Sequence, residues 1–212
     1  MNVHALYDVF FRWFRPGRLA LFYTTFGIGR STRVLDVGGG LSFWDLALRA
    51  GLAVPDVTIL NLYPPPGDLP SGVRWVIGDA CALPFPDHGF DVAFSNSVVE
   101  HLGGFSQQNQ FANEIRRVAR GYFIQTPHRA FPVEPHLLTP FIHWLPQALQ
   151  ARALRRCTVW GWLTRPAREE CERFLREVRL LGRRDMEALF PDSEIRVESA
   201  LLLPKSLLAM RR

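Results

Sequence analysis

A doubly wound α/β fold built on a mostly parallel sheet is predicted by three features of the sequence. Arg33–Trp44 combines a short apolar run holding Asp36, three consecutive glycines (Gly38, Gly39, Gly40) and the start of an amphipathic pattern, which reads as strand, tight turn and helix. Further apolar runs at Val57–Leu60, Val73–Ile77 and Phe90–Phe94 end in polar or glycine-bearing exits. These recur at intervals of roughly twenty residues, as successive βα units require, so the exits share one edge of the sheet. The chain of 212 residues is 48% hydrophobic, enough for a full core in one domain with an elaboration.

Several function classes are excluded at this level. No segment reaches the roughly 18–20 unbroken apolar residues of a spanning helix, and the first residues are too polar for a signal peptide, so a soluble cytoplasmic enzyme is expected. Cys81, Cys157 and Cys171 lack C-x-x-C spacing, which suggests neither a disulfide framework nor a structural zinc site. The net charge of +5 rests almost wholly on arginine, Lys205 being the only lysine, and is spread out rather than striped.

The glycine turn itself selects a ligand class. Glycine admits positive φ and lets a ligand approach the backbone beside a helix N-terminus. A dinucleotide fingerprint needs G-x-G-x-x-G, and Ser42 and Phe43 stand where the third glycine is sought. Asp36 beside the turn repels a pyrophosphate but suits a ligand carrying an ammonium and a sulfonium.

Asp36-Val37-Gly38-Gly39-Gly40 resembles the first motif, D/E-x-G-x-G, of class I S-adenosylmethionine-dependent methyltransferases. Gly78-Asp79-Ala80-Cys81-Ala82-Leu83-Pro84-Phe85 is similar to the group's Gly-Asp-Ala…Leu-Pro-Phe signature. Phe90-Asp91…Ser95…Glu100-His101-Leu102 resembles its fourth motif. In that order and spacing, residues 30–126 are identified as a member of the type 11 group. The resemblance implies a Rossmann-like, seven-stranded, mostly parallel sheet with a terminal antiparallel hairpin, expected here around Ile195–Val197 and Ser206–Met210. It implies S-adenosyl-L-methionine as cofactor, held by Asp36, Gly38, Gly39, Gly40, Asn61, Leu62, Asp79, Ala80 and Asn96. Asn61 departs from the acid the group places there to receive the ribose hydroxyls, and its amide offers only neutral hydrogen bonds or a turn role. Asp79 would accept from the adenine amine and the Ala80 N–H would donate to a ring nitrogen.

The remaining chain divides into an N-terminal helical arm (1–29), the cofactor-binding core (30–126), an inserted helical cap (127–182) and a C-terminal helix with the strand hairpin (183–212). In the arm Tyr7, Phe10, Phe11 and Phe14 recur at helical spacing before Pro16-Gly17, as a core stripe, a substrate lid or a membrane-surface helix. Ser42 is expected to cap the helix after the glycine turn, and Phe105–Arg120 to form the next crossover helix. In the insertion, Cys171, Phe174, Leu175, Val178 and Leu181 mark one face of a helix expected from near Pro166 to Gly182.

Chemistry is sought in His128, Glu134 and His136, within nine residues of one another at the mouth of the cofactor edge. An imidazole is the natural general base at neutral pH and a carboxylate can orient it; ordinary loop packing is the alternative, and the spacing matches no metal signature. His101 is expected to serve structure. Direct methyl displacement onto a small-molecule or lipid- or glycan-linked acceptor is the expected reaction, with peripheral membrane contact left open and no inference about oligomeric state. Ser95-Asn96-Ser97-Val98 replaces the Asn/Asp-Pro-Pro-aromatic motif of amine-methylating nucleic-acid enzymes, which ranks nucleic acid second and a catalytically degenerate cofactor-binding regulator third.

Overall fold

The computed structural model describes residues 14–212, so Tyr7, Phe10 and Phe11 lie outside the described residues. Strands β1 (Arg33–Val37), β2 (Asp56–Asn61), β3 (Val73–Ile77), β4 (Phe90–Asn96) and β5 (Ala119–Pro127) pair in parallel. Their central members are buried residue after residue, as a sheet covered by helices on both faces demands. The closing hairpin β8 (Glu194–Ala200) and β9 (Leu203–Arg211) joins antiparallel, so the seven-stranded order is β3-β2-β1-β4-β5-β9-β8. The predicted fold class is therefore observed. Since β1 lies between β2 and β4, the chain reverses its winding direction there, and a crevice opens beyond the carboxyl ends of these strands.

Helix α1 (Arg15–Phe26) takes Pro16-Gly17 into its first turn, where proline's missing N–H costs nothing. It lays Phe22 against Phe43, Trp44, Phe94 and Phe123, an aromatic cluster under the start of the glycine turn. Helix α2 (Leu41–Arg49) is not capped by Ser42, contrary to expectation. It begins two residues earlier, with extended Gly40 at the cap position (φ −154°, ψ 175°), which places Ser42 inside the first turn. Helix α3 (Phe105–Val118) covers the opposite face with Phe111, Ile115 and Val118.

Between β5 and β8 the chain leaves the sheet. It forms a small hairpin of β6 (Val133–Glu134) and β7 (Thr139–Pro140), then helices α4 (Gln147–Cys157), α5 (Val159–Thr164), α6 (Arg168–Glu177) and α7 (Arg183–Leu189). The expected helix to Gly182 stops at Glu177. Val178–Leu181 instead run extended because tertiary partners outcompete the helical bonds: Gly103 N donates to Glu177 O, Arg179 N to Glu100 O, and Arg129 N to Leu181 O. Gly182 consequently stands at the start of α7 rather than closing the preceding helix.

Candidate active site

The glycine turn is held from three sides. Gly38 has φ +73° and its N–H donates to Leu60 O at 2.7 Å, tying the exit of β1 to that of β2. A Cβ at Gly38 would lie 2.6 Å from Val98 Cγ2, so glycine is what lets the β4 exit press against the turn. We expect Gly38→Ala to cost about 1–3 kcal/mol through positive φ and overpacking. Thermal unfolding and cofactor titration of the variant check this, with both declining together. A Cβ at Gly39 would collide with the Asp36 carboxylate, whereas Gly40 faces open space.

Asp36 itself is buried. Its Oδ2 accepts from Trp44 Nε1 at 2.9 Å, and its Oδ1 has no hydrogen-bond partner among the described residues. Burial pushes its pKa up to about 7, with the indole bond pulling only partly back. An unfilled carboxylate acceptor beneath a glycine turn fits a cationic ligand and disfavours a phosphate.

Asn61 closes the turn from the β2 side: its Nδ2 donates to Gly39 O at 2.9 Å and its Oδ1 accepts from Tyr63 N at 3.1 Å. Its amide thus shapes the turn. Asp79 is exposed at the β3 exit, where one carboxylate oxygen accepts from Cys81 N at 2.8 Å; Ala80 beside it is buried. Leu62 and Ile77, which follow β2 and end β3, are 64% and 61% exposed. Such bared apolar side chains flanking a carboxylate are the surroundings a purine ring needs. Ile77 escaped sequence reasoning, its only signal being a large apolar residue at a strand's last position. Asn96 ends β4, and its Oδ1 accepts from Arg18 Nη1 at 2.9 Å. The Asp36, Gly38–Gly40, Asn61–Leu62, Asp79–Ala80 and Asn96 positions all lie at the carboxyl ends of their strands, around the switch point. The residues present fit S-adenosylmethionine. A larger cavity of about 590 Å³, lined by Trp44, Asp45, Pro55, Asp56 and Val73, opens at the starts of β2 and β3, away from these groups.

The cap hairpin brings Glu134 and His136 together, Glu134 Oε1 accepting from His136 Nδ1 at 2.7 Å. Leu137 N donates to the other oxygen at 2.6 Å, fixing the carboxylate. Burial works to lower the His136 pKa, but the hydrogen bond and charge of Glu134, with Glu100 behind, raise it above the ordinary value. His128 does not join this pair among the described contacts: its Nδ1 accepts from Ala130 N at 2.8 Å within its own loop. Two residues that sequence reasoning set aside do join. The His101 ring packs edge-on to His136 with centroids 4.6 Å apart, and buried Glu100 lies beside both. They follow β4 in a single 3-10 turn, Val99–His101, two and three residues beyond Val98, which packs close to the glycine turn.

Residues 35–124 match the model of a methyltransferase domain, spanning the glycine turn, the Asp36 and Asp79 exits and the β4 exit, and ending within β5. This chain carries a methyltransferase domain over those residues. The methyltransferase domain's cofactor is S-adenosylmethionine. Solved structures share the fold at low identity. The Burkholderia thailandensis 1,6-didemethyltoxoflavin-N1-methyltransferase superposes with a TM-score of 0.55 at 15% identity, covering 98% of this chain and 87% of that one. Phosphoethanolamine N-methyltransferase 2 of Haemonchus contortus gives 0.54 at 15% identity over 86% of this chain. The methyltransferase chain spans only 38% of the length of that enzyme. A possible exported protein of Bordetella parapertussis gives 0.60 at 14% identity, covering 93% of this chain and 67% of that one. No curated protein matches the sequence. No helix among the described residues is long and apolar enough to cross a membrane.

Proposed function

We propose that this methyltransferase moves the methyl group of S-adenosylmethionine directly onto a small-molecule acceptor held between the sheet edge and the cap. The observation that carries the reading is one edge bearing two carboxylates, Asp36 at the glycine turn and Asp79 at the β3 exit, with the cap's Glu134–His136 pair over the neighbouring β4 exit. The carboxylates complement a cofactor with net positive charge, and Leu62 and Ile77 offer its adenine an apolar seat. The reaction is a displacement at carbon, so alignment of nucleophile, methyl and sulfur supplies most of the acceleration.

His136 is the group best placed to take a proton from the acceptor, since Glu134 orients its ring and stabilises the charged form. A cavity of about 270 Å³ behind Glu134, walled by Arg129, Leu137, His143, Phe174 and Arg179, adjoins the pair from the cap side and borders none of the cofactor-edge residues. The small acceptor is favoured over nucleic acid by two enzymes of the same fold named for small molecules, phosphoethanolamine and 1,6-didemethyltoxoflavin.

Calorimetry with S-adenosylmethionine and S-adenosylhomocysteine tests the cofactor half, and failure of the folded protein to bind either would sink the reading. Transfer of labelled methyl into fractionated extract tests the other half. Label in the metabolite fraction is expected; label confined to RNA, with steep salt-dependent retention on heparin, would replace the acceptor class. Cofactor binding with no transfer to any fraction would point to a regulatory module.

A further inference from the structure

We propose that Glu100, His101 and His136 form a binding site for a divalent transition-metal ion of the zinc type, coupling the cap hairpin to the β4 exit. One ligand atom from each of the three lies within 4.8 Å of the others. Ligands bound to zinc at about 2.0–2.2 Å sit roughly 3.0–3.6 Å apart, so small side-chain rotations close the site.

Three further observations point to a cation. Glu100 is fully buried, and while its Oε2 accepts from Thr126 Oγ1 at 3.0 Å, its Oε1 has no hydrogen-bond partner among the described residues. A buried carboxylate oxygen left bare is costly unless a proton or a cation satisfies it. His136 is braced as metal-bound histidines are. Its Nδ1 donates to Glu134, which fixes the tautomer that leaves Nε2 the lone pair, and Glu134 is itself fixed by Leu137 N. Glu134 thus serves as the outer partner of a ligand rather than as a ligand. Finally, His101 is exposed, so coordination positions remain open to solvent on that side.

Two imidazoles and one carboxylate suit zinc, iron or manganese better than magnesium, which prefers oxygen ligands and its own water. With an ion bound, His136 Nε2 is a ligand and is not the base of the metal-free site; the ion's open positions would instead accept an oxygen of the methyl acceptor and lower the pKa of a hydroxyl there. The site was invisible to spacing because Glu100 and His101 lie some distance along the chain from His136, and only the cap hairpin brings them together. It does not depend on methyl transfer: cofactor binding to the Glu100→Gln variant is measured separately.

Chelator-treated, folded protein is titrated with zinc by calorimetry, and the ion is counted per chain after dialysis. One ion per chain is expected for the wild type and for His88→Asn, a change at an exposed histidine elsewhere. Glu100→Gln, His101→Ala and His136→Ala should each weaken binding at least tenfold, and Glu134→Gln roughly ten- to a hundredfold. No uptake by the folded wild type, or uptake unchanged in Glu100→Gln and His136→Ala, overturns the proposal. Should those variants misfold, cobalt loaded into the wild type decides it. Hyperfine-shifted imidazole N–H resonances without sulfur-to-metal absorption support the site, whereas cysteine ligation or absent imidazole signals refute it.

Discussion

Asp36→Asn is expected to weaken S-adenosylmethionine binding by roughly ten- to a hundredfold, the about 1.5–3 kcal/mol of a hydrogen bond to a charged group, while leaving the sheet intact. The asparagine amide oxygen still accepts from Trp44 Nε1, so the aromatic cluster beneath the turn keeps its anchor. The pH dependence distinguishes loss of charge from loss of shape. With its folded pKa pushed up to about 7 from an ordinary 3.8, Asp36 stabilises the fold fully only below about pH 4. That contribution, a few kcal/mol, disappears as pH rises through about 7. The wild type without cofactor should therefore lose unfolding free energy across that window, and the variant should lose less. Cofactor affinity runs the other way: a cation binds the ionised carboxylate, so wild-type affinity falls below about pH 7 with proton release on binding. Calorimetry at pH 6 and pH 8 for both proteins checks it. Equal affinity of variant and wild type at pH 8 would remove Asp36 from the site.

Arg18→Ala is expected to destabilise the protein by about 3–5 kcal/mol, roughly 10 °C in melting temperature for a chain of this size. Arg18 is a buried charge on α1 that reaches across the sheet edge. Its guanidinium donates to Glu198 at 2.9 and 2.5 Å, to Asn96 Oδ1 at 2.9 Å and to Ser206 Oγ at 3.1 Å. Removing it strips Glu198 of its bidentate partner and leaves the Asn96 carbonyl unpaired next to the cofactor edge. Lys205, 3.4 Å from Glu198, keeps part of the pairing, and burial pushes its pKa down to about 8 with the Arg18 charge adding to the effect. Losing Arg18 should therefore raise the Lys205 pKa. The measurement is thermal unfolding with lysine Nζ titration by NMR, made simple because the chain has only one lysine. A melting temperature within 2–3 °C of the wild type, a change of about 1 kcal/mol, would mean that the network is merely surface pairing.

Much of the cofactor edge was legible because it is local. A strand exit with Asp36 and three glycines, a Gly-Asp-Ala turn and a Phe-Asp…Glu-His-Leu segment are each short, and parallel pairing carries their exits to one edge whatever the details. What escaped has tertiary causes. Ser42 did not cap α2 because the turn geometry set the helix start at Gly40, and helix propensity from Val178 to Leu181 lost to backbone bonds with Glu100, Gly103 and Arg129. The histidine cluster mixed one expected pair, Glu134 and His136, with Glu100 and His101 from another exit, while His128 bonded within its own loop.

The sequence by itself therefore determined the sheet and its class, since these depend on apolar periodicity and on short contiguous turns, while the methyl donor followed from the resemblance those turns carry. Only the tertiary structure decided which side chains face one another over that edge. Arg18 meets Glu198 and Asn96, and Glu100 meets His101 and His136, only because the chain's loop closures bring distant residues within reach, where burial magnifies each charge.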